Sequence, residues 1–216
     1  MISSNLKKRS YTSLSLLLIL FLMFNFKLLF VYIFIITGAL SVLEFIQICK
    51  KIFNKKIYVI ISYTFFSAIL LTIFSLIVFF ISFFQIKITI FIILLGCISS
   101  DVGGFIVGKL LQGPKLTKIS PNKTISGAFG SLLFSCICVS VIFFYFNQNF
   151  TLKPLIVGLI TSLACQVGDL FFSYLKRKAK LKDTGNFLPG HGGVLDRIDG
   201  ILFGLPIGFV TMILIY

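Results

Sequence analysis

Residues 57–84 read Ile57-Tyr-Val-Ile-Ile-Ser-Tyr-Thr-Phe-Phe-Ser-Ala-Ile-Leu-Leu-Thr-Ile-Phe-Ser-Leu-Ile-Val-Phe-Phe-Ile-Ser-Phe-Phe84, 28 residues without one charged side chain. A helix that crosses a bilayer needs about 20 apolar residues. This run is therefore long enough for one tilted helix or for a tight pair of helices. The choice between them decides on which side of the membrane all later residues lie.

Apolar runs recur along the whole chain. The composition is 58% hydrophobic and 12% charged, with a mean hydropathy of +1.08, whereas soluble domains carry about 25% charged residues. Runs long enough to span a membrane occupy residues 11–26, 28–48, 57–84, 88–112, 127–147, 154–175 and 199–216. We expect an all-α, polytopic integral membrane protein with seven transmembrane helices, or eight if 57–84 is a pair, around a cytoplasm-facing polar cavity.

The basic residues favour seven spans. Lys and Arg accumulate in cytoplasmic segments of membrane proteins. With the N-terminus inside and seven spans, all but three of the 20 basic residues fall on one side, the exceptions being Lys27, Lys87 and Lys153. Splitting 57–84 into two spans would reverse the side of every later loop and remove this asymmetry. The N-terminal apolar run has no small-residue cleavage site before Asn25, so we interpret it as a span.

The net charge of +14 indicates a membrane surface as the partner and not nucleic acid. The basic residues lie beside the spans, and no aromatic-and-basic recognition module accompanies them. Anionic membrane phospholipids attract such residues. The five cysteines show no metal-ligand spacing and are expected to be reduced packing residues. We expect residues 1–216 to form a single membrane domain, with 1–95 as a packing or dimer part and 96–216 as the catalytic part.

Acidic residues are rare enough to examine singly, since the chain has six of them. Asp101 lies near the middle of its span, where an ionised carboxylate costs about 3 kcal/mol, so we expect it to face a polar cavity. The alternative is a buried ion pair with one lysine. Gly103 and Gly104 permit either close helix packing or a broken helix beside that cavity.

The stretch Ser173–Asp199 holds three of the six acids and the only histidine, His191. Just before it, helical spacing places Phe172, Ser173 and Lys176 on the same stripe as Asp169. Asp196 and Asp199 stand about one helical turn apart. Because two close carboxylates repel one another unless a cation lies between them, a hard divalent metal is the preferred explanation. Pairing of either acid with Arg197 or with a lysine of the loop is the alternative.

Two segments suggest a bound anion. Gly192 and Gly193 precede a helix start with backbone amides that we expect to be free, beside a basic run at 176–182. The second segment is Ser120-Pro-Asn-Lys-Thr-Ile-Ser-Gly127, in which Pro121 predicts a turn and Thr124 or Ser126 a helix cap. A lysine at 123, next to a positive helix end, favours a nearby anion.

At these residues the sequence resembles the phosphatidate cytidylyltransferases, also called CDP-diglyceride synthases. Their signature runs Ser-x-x-Lys-Arg, Lys-Asp, a Gly-containing turn, Pro-x-His-Gly-Gly and Asp-Arg-x-Asp. The matching residues here are Ser173, Lys176, Arg177, Lys182, Asp183, Pro189, His191, Gly192, Gly193, Asp196, Arg197 and Asp199. Further landmarks in order are Asp101-Val-Gly-Gly-Phe before Gly108-Lys109, Ser120-Pro-x-Lys-Thr124, and Gly168-Asp169-Leu170. The resemblance covers residue 95 to the C-terminus, and more loosely Lys7-Lys8-Arg9 and the helix with Glu44.

The resemblance implies a bacterial inner-membrane enzyme that forms CDP-diacylglycerol and pyrophosphate from CTP and phosphatidate. It also implies a requirement for Mg²⁺, with room for a second, monovalent cation and for a homodimer. The implied catalytic residues are Asp169, Asp196, Asp199, Lys176 and Arg177. The implied metal ligands are Asp169, Asp196, Asp199 and Asp101. The implied substrate-binding residues are Lys109, Ser120, Lys123, Thr124, Ser173, Lys182, Asp183, His191, Gly192, Gly193 and Arg197.

The sequence departs from the family pattern at Phe172 and Ser126, where members often carry Glu, and this affects the site of any second cation. Two other functions remain as alternatives. A CTP-dependent polyprenol kinase is similar in fold and donor, but the full signature with its two Asp residues argues against it. A membrane transporter predicts acids spread along a pathway in two related halves, whereas most acids here cluster toward one face.

Overall fold

The computed structural model describes residues 18–19, 21–148, 151–185 and 192–216. Within these ranges no strand is present, and Lys115 and Thr124 form an isolated antiparallel bridge. The helices are α1 (Lys27–Ile52), α2 (Lys56–Phe80), α3 (Phe84–Leu111), α4 (Ile125–Asn147), α5 (Lys153–Lys178), α6 (Leu195–Ile198) and α7 (Ile201–Ile215). The prediction of an all-α fold is confirmed.

Six stretches of the described residues are long and apolar enough to cross a membrane, and they correspond to six of the seven expected spans. They are Lys27–Ile52, Lys56–Phe80, Phe84–Leu111, Ile125–Phe146, Lys153–Lys178 and Leu195–Ile215. The chain is therefore a polytopic integral membrane protein. The seventh expected span, 11–26, lies mostly outside the described residues, although residues 21–25 are helical.

The run at 57–84 is one span. Helix α2 continues without interruption for 25 residues, which corresponds to a length of about 37 Å at 1.5 Å per residue. That length exceeds the roughly 30 Å hydrocarbon core and is accommodated by tilting. The expectation of a tight pair in this run is wrong because nothing in the run, neither Gly nor Pro, breaks the helix.

The chain divides into two compact units. Unit 1 consists of Met1–Ile81 and Lys176–Arg197, and unit 2 of Ser82–Leu175 and Ile198–Tyr216. The stretch Ser173–Asp199 thus contributes to both units. A single membrane domain with a catalytic part from residue 96 stays a prediction.

Aromatic packing joins α1 to α2 in unit 1. The rings of Phe45 and Phe66 stack with centroids 4.1 Å apart, and those of Phe34 and Phe74 lie 4.7 Å apart. A Cβ added at Gly38 would collide with the Phe74 ring. Along α2 most of the remaining apolar side chains are exposed, which is typical of a helix surface that faces lipid.

Small residues bring α3 and α4 close together in unit 2. A Cβ at Gly103 would lie 2.5 Å from Phe134 Cβ and 2.7 Å from the Gly130 carbonyl oxygen, and one at Gly130 would lie 2.5 Å from Val107 Cβ. Helix α3 is continuous through these positions. Of the two expectations for the glycines after Asp101, close packing is confirmed and a broken helix is wrong.

Two polar contacts lie in the interior of unit 2. The Ser100 and Ser162 hydroxyls lie 2.7 Å apart, and the Ser135 hydroxyl donates to the Gly158 carbonyl at 2.9 Å. All five cysteines are free, as expected for reduced packing residues.

We predict that Gly103→Val lowers the free energy of unfolding by about 1–3 kcal/mol, the usual cost of overpacking, because the added atoms meet Phe134 and the Gly130 carbonyl. Thermal unfolding of the purified protein in detergent measures the effect. Leu133→Val is the control, since Leu133 is 56% exposed. Equal melting temperatures for the two variants would contradict the packing described here.

Candidate active site

Unit 2 contains a pocket of about 230 Å³. Its lining combines two acids, a lysine, hydroxyl and amide groups and some apolar side chains. The lining residues are Asp101, Gly104, Phe105, Leu116, Asn122, Lys123, Thr124, Gly127, Ala128, Ser131, Gln166 and Asp169. Asp101 is among these lining residues, and the expectation that it faces a polar cavity stays a prediction.

A tight turn between α3 and α4 supplies one wall of this pocket. The Lys123 N–H donates to the Ser120 carbonyl at 3.1 Å, which closes a β-turn with Pro121 at its second position, where a fixed φ is favoured. Thr124 then caps α4, since its hydroxyl oxygen accepts from the Gly127 N–H at 3.0 Å. The predicted turn is confirmed, and the cap is Thr124.

An ion pair crosses the pocket. Lys123 Nζ lies 2.5 Å from Asp169 Oδ2, with the lysine side chain 32% exposed and the aspartate side chain 18% exposed. The two residues come from the turn before α4 and from α5, 46 positions apart. The anion next to Lys123 is thus a carboxylate of the chain itself, in a position that a phosphate oxygen of a ligand can take over.

Close backbone packing places Asp199 next to Asp169. A Cβ at Gly168 would lie 2.6 Å from the Asp199 carbonyl oxygen, and one at Gly200 would lie 2.6 Å from Asp169 Oδ1. The Asp199 carboxylate accepts from the Gly200 N–H at 3.0 Å. Only glycine fits at positions 168 and 200, so the start of α7 can rest directly against the acidic residue of α5.

In unit 1 the acid Asp196 has three donors. Lys176 Nζ lies 2.6 Å from its Oδ1, while Oδ2 accepts from the Thr184 N–H at 2.8 Å and from the Gly193 N–H at 3.2 Å. Both side chains of the ion pair are largely buried, at 13% and 8% exposure. The alternative expectation, that Asp196 pairs with a lysine, describes this geometry.

The amide of Gly193, the second residue of the glycine pair, is not free as expected. The Gly193 N–H is used by Asp196, and the following amides of Val194 and Leu195 are used by another carboxylate. The sequence pattern could not reveal this, because it does not show which acid of the chain reaches the loop. Gly192 adopts φ +82°, a backbone region in which glycine is favoured.

That other carboxylate is Glu44, which sequence reasoning did not select as a site residue. It is fully buried and accepts from the Thr184 hydroxyl at 2.6 Å, from the Val194 N–H at 2.9 Å and from the Leu195 N–H at 2.8 Å. We call this arrangement the Glu44 clamp. An acid inside an expected span was the available signal, since such residues are seldom without a role.

The other expected substrate-binding residues are placed more loosely. Lys109 lies 5.8 Å from the centre of the Phe105 ring, and neither Lys109 nor Ser120 is part of the pocket lining. Ser173 is half-buried, whereas Arg177, Lys182, Asp183 and Arg197 are exposed. His191 and Pro189 lie outside the described residues. Phe172, at the departure from the family pattern, is buried and offers no cation ligand.

The donor chemistry of the pocket suits Mg²⁺. Among the described residues, no three His, Cys, Asp or Glu side chains gather into a metal site. Mg²⁺, however, is usually bound through one or two carboxylates together with waters and substrate phosphates. Asp101 and Asp169 line one pocket together with hydroxyl and amide groups, and these oxygen donors fit such a hard cation once Lys123 releases Asp169. Asp196 and Asp199 belong to different units, so the metal site expected for that pair stays a prediction.

These features define a class: a polytopic helical membrane protein with a pocket lined by acids and a lysine. The chain matches the model of the cytidylyltransferase family over residues 3–215. It therefore belongs to the cytidylyltransferase family.

Relatives in several bacteria are named phosphatidate cytidylyltransferase. The chain is 44% identical to that of Helicobacter pylori strain J99 over 107 residues, which are 50% of this chain and 40% of the relative. It is 45% identical to that of Staphylococcus haemolyticus over 117 residues, 53% and 45% of the two chains. It is 43% identical to that of Rickettsia bellii over 121 residues, 51% and 52%. The chain thus spans about half the length of the curated relatives it matches.

We predict a favourable coupling of about 1 kcal/mol between Lys123 and Asp169, a value suited to a partly exposed pair. Lys123→Met and Asp169→Asn should each destabilise the protein, and the double variant should lose less than the sum of the two. Thermal unfolding in detergent supplies the four free energies. Lys118→Met combined with Asp169→Asn is the control cycle, because Lys118 is exposed. Strict additivity in both cycles would contradict the ion pair.

Proposed function

We propose that this protein is a phosphatidate cytidylyltransferase, which transfers CMP from CTP to phosphatidate and releases pyrophosphate. The observation that carries the proposal is the pocket of unit 2, where two acids and Lys123 meet among membrane-spanning helices. Membership of the cytidylyltransferase family and the names of the relatives in Helicobacter, Staphylococcus and Rickettsia support it.

The pocket suits the phosphate end of the substrates. Its volume of about 230 Å³ is smaller than that of a usual ligand site, so it takes a phosphate group and not a whole nucleotide with a lipid. Lys123 exchanges its carboxylate partner for a phosphate oxygen, and the Thr124 hydroxyl lies beside it. Phe105 and Ala128 in the same lining are compatible with a substrate that arrives from the bilayer.

The reaction needs no side-chain nucleophile. A phosphate oxygen of phosphatidate attacks the α-phosphorus of CTP, a new P–O–P bond forms, and the bond from the α-phosphorus to the bridging oxygen of the β-phosphate breaks. Pyrophosphate leaves with that bridging oxygen. Protein groups contribute by positioning the two phosphates in line and by compensating negative charge. Lys123 supplies positive charge for this purpose in unit 2. The family resemblance supports the same role for Lys176, Arg177, Lys182 and Arg197 of the signature stretch.

Mg²⁺ fits the pocket of unit 2, with Asp169 and Asp101 as ligands and Asp199 of the same unit as a further ligand of the proposal. The metal role of Asp196 rests on the family resemblance. When bound, Mg²⁺ neutralises charge on the triphosphate and on the leaving pyrophosphate. The side chains of this chain then determine where the phosphates lie. Phe172 supplies no ligand for a second, monovalent cation, so such a cation would take its ligands from other residues.

We further propose that the protein resides in the bacterial inner membrane with the active site facing the cytoplasm. Lysines lie at the end of α1, at the start of α2, after α3 and at the end of α5. Cytoplasmic segments accumulate such residues, and CTP is a soluble nucleotide of that compartment.

Purified protein in detergent micelles containing phosphatidate should form CDP-diacylglycerol and an equal amount of pyrophosphate from CTP. Asp169→Asn and Asp196→Asn should each lower kcat at least about a hundredfold, because each removes a charge from the proposed phosphate and metal sites. Radiolabelled CTP with chromatography of the lipid product, together with a pyrophosphate assay, measures both products.

Lys178→Met is the matched control for these variants, since Lys178 is exposed at the end of α5 and has no assigned role. It should keep wild-type turnover. Formation of CDP without pyrophosphate would identify a CTP-dependent kinase instead. Near-normal turnover in both aspartate variants would refute the metal role of these acids.

Removal of divalent metal should abolish turnover. Treatment with EDTA followed by desalting is expected to leave folded protein with no measurable CDP-diacylglycerol formation, and added Mg²⁺ should restore it, while K⁺ alone should not. Thermal unfolding run in parallel verifies that the treated protein is intact. Full activity in the metal-free sample would contradict the metal requirement.

A further inference from the structure

We propose that Glu44 is a positioning residue, which fixes the two sides of the signature loop and thereby holds Asp196 and Lys176 in place. Glu44 is not among the residues that the sequence leads us to expect in the site. Glu44 stands on α1, and its three hydrogen-bond donors lie 140 to 151 positions later in the chain.

The buried carboxylate of Glu44 is paired with donors from the loop. Glu44 has no exposed surface, and the Thr184 hydroxyl and the amides of Val194 and Leu195 donate to its two oxygens. A buried acid left unpaired costs several kcal/mol. The carboxylate therefore strongly favours the one loop conformation that delivers all three donors.

The same loop conformation also bears on the ion pair between Lys176 and Asp196. Thr184 donates its hydroxyl to Glu44 and its N–H to Asp196 Oδ2. On the other side of the loop, Gly193 donates to Asp196, and Val194, its neighbour, donates to Glu44. The same two backbone segments thus bind both acids. Glu44 makes no contact with Lys176 in this chain of contacts. It acts on the two segments that hold Asp196 Oδ2, and thereby on where Asp196 presents Oδ1 to Lys176.

Glycine residues lie beside the Glu44 carboxylate. A Cβ at Gly185 would lie 2.6 Å from Glu44 Oε1, and one at Gly193 would lie 2.5 Å from Glu44 Oε2. Neither residue has a positive φ. These two glycines of the signature stretch are therefore required for the space that the Glu44 carboxylate occupies, and not for an unusual backbone conformation.

The clamp is tested first without any activity. Hydrogen exchange followed by mass spectrometry on the wild-type protein and on Glu44→Gln compares the amides of Val194 and Leu195. We expect exchange at these amides to accelerate about tenfold or more in Glu44→Gln, because the amide nitrogen of Gln faces a donor and one hydrogen bond to a charged group is lost. Ser41→Ala is the matched control on the same helix, since Ser41 is equally buried but donates only to the Thr37 carbonyl.

The functional part rests on the proposed cytidylyltransferase activity. Glu44→Gln should lower kcat about tenfold or more, with less than a threefold change in KM for CTP, whereas Ser41→Ala should match the wild type. If Glu44 acts through Asp196, the double variant Glu44→Gln/Asp196→Asn should be no slower than Asp196→Asn alone. Multiplying losses would overturn the positioning role and indicate a general effect on the fold.

Thr184→Val gives a second route if Glu44→Gln does not fold. It removes one donor of the clamp, so it should reproduce the faster exchange and the lower kcat in weaker form, and Thr184→Ser should restore both. Unchanged exchange in Glu44→Gln and Thr184→Val would overturn the inference whatever the activity. If the wild type forms no CDP-diacylglycerol, the proposed function fails, and the exchange result still decides on the clamp.

Discussion

A carboxylate inside a membrane protein must be matched by donors, and this requirement organises both units of the chain. Charge is costly among apolar side chains, and the structure meets that cost in two ways. Asp169 and Asp196 each receive a lysine at hydrogen-bonding distance. Glu44 instead receives a hydroxyl and two backbone amides. Lys123 comes from the turn before α4, and backbone amides of the segment before α6 and of its first residue serve Asp196 and Glu44, so these acids hold irregular segments in place.

In the signature stretch, backbone amides are therefore already hydrogen-bonded to acids of the chain before any substrate binds. Amides that resemble a free anion site in the sequence are already used by Asp196 and Glu44. In the proposed function, anion binding is instead a task of side chains, above all of Lys123 in unit 2 and of the basic residues around Lys176. This division also explains why glycine recurs beside the acids. Gly168, Gly185, Gly193 and Gly200 each leave room for a neighbouring carboxylate or backbone.

The membrane architecture was predictable because it depends on composition and on local runs. Six spans, the unbroken helix at 57–80, the turn at Pro121 and the Thr124 cap all follow from residues near one another in the chain. The partners of the acids were not predictable in this way. Lys123 meets Asp169 across 46 positions, and Glu44 meets Leu195 across 151. Helical periodicity describes which residues share a face but contains no information about which distant donors reach that face.

The distance in sequence between Glu44 and its donors also bears on how the protein is made. Translation proceeds at about 5–20 residues per second, and Val194 follows Glu44 by 150 positions. Helix α1 therefore enters the bilayer roughly 8–30 s before the amides that satisfy its carboxylate exist. During that interval the nascent chain carries an unmatched acid in its first half. The loop can therefore close on Glu44 only after that interval.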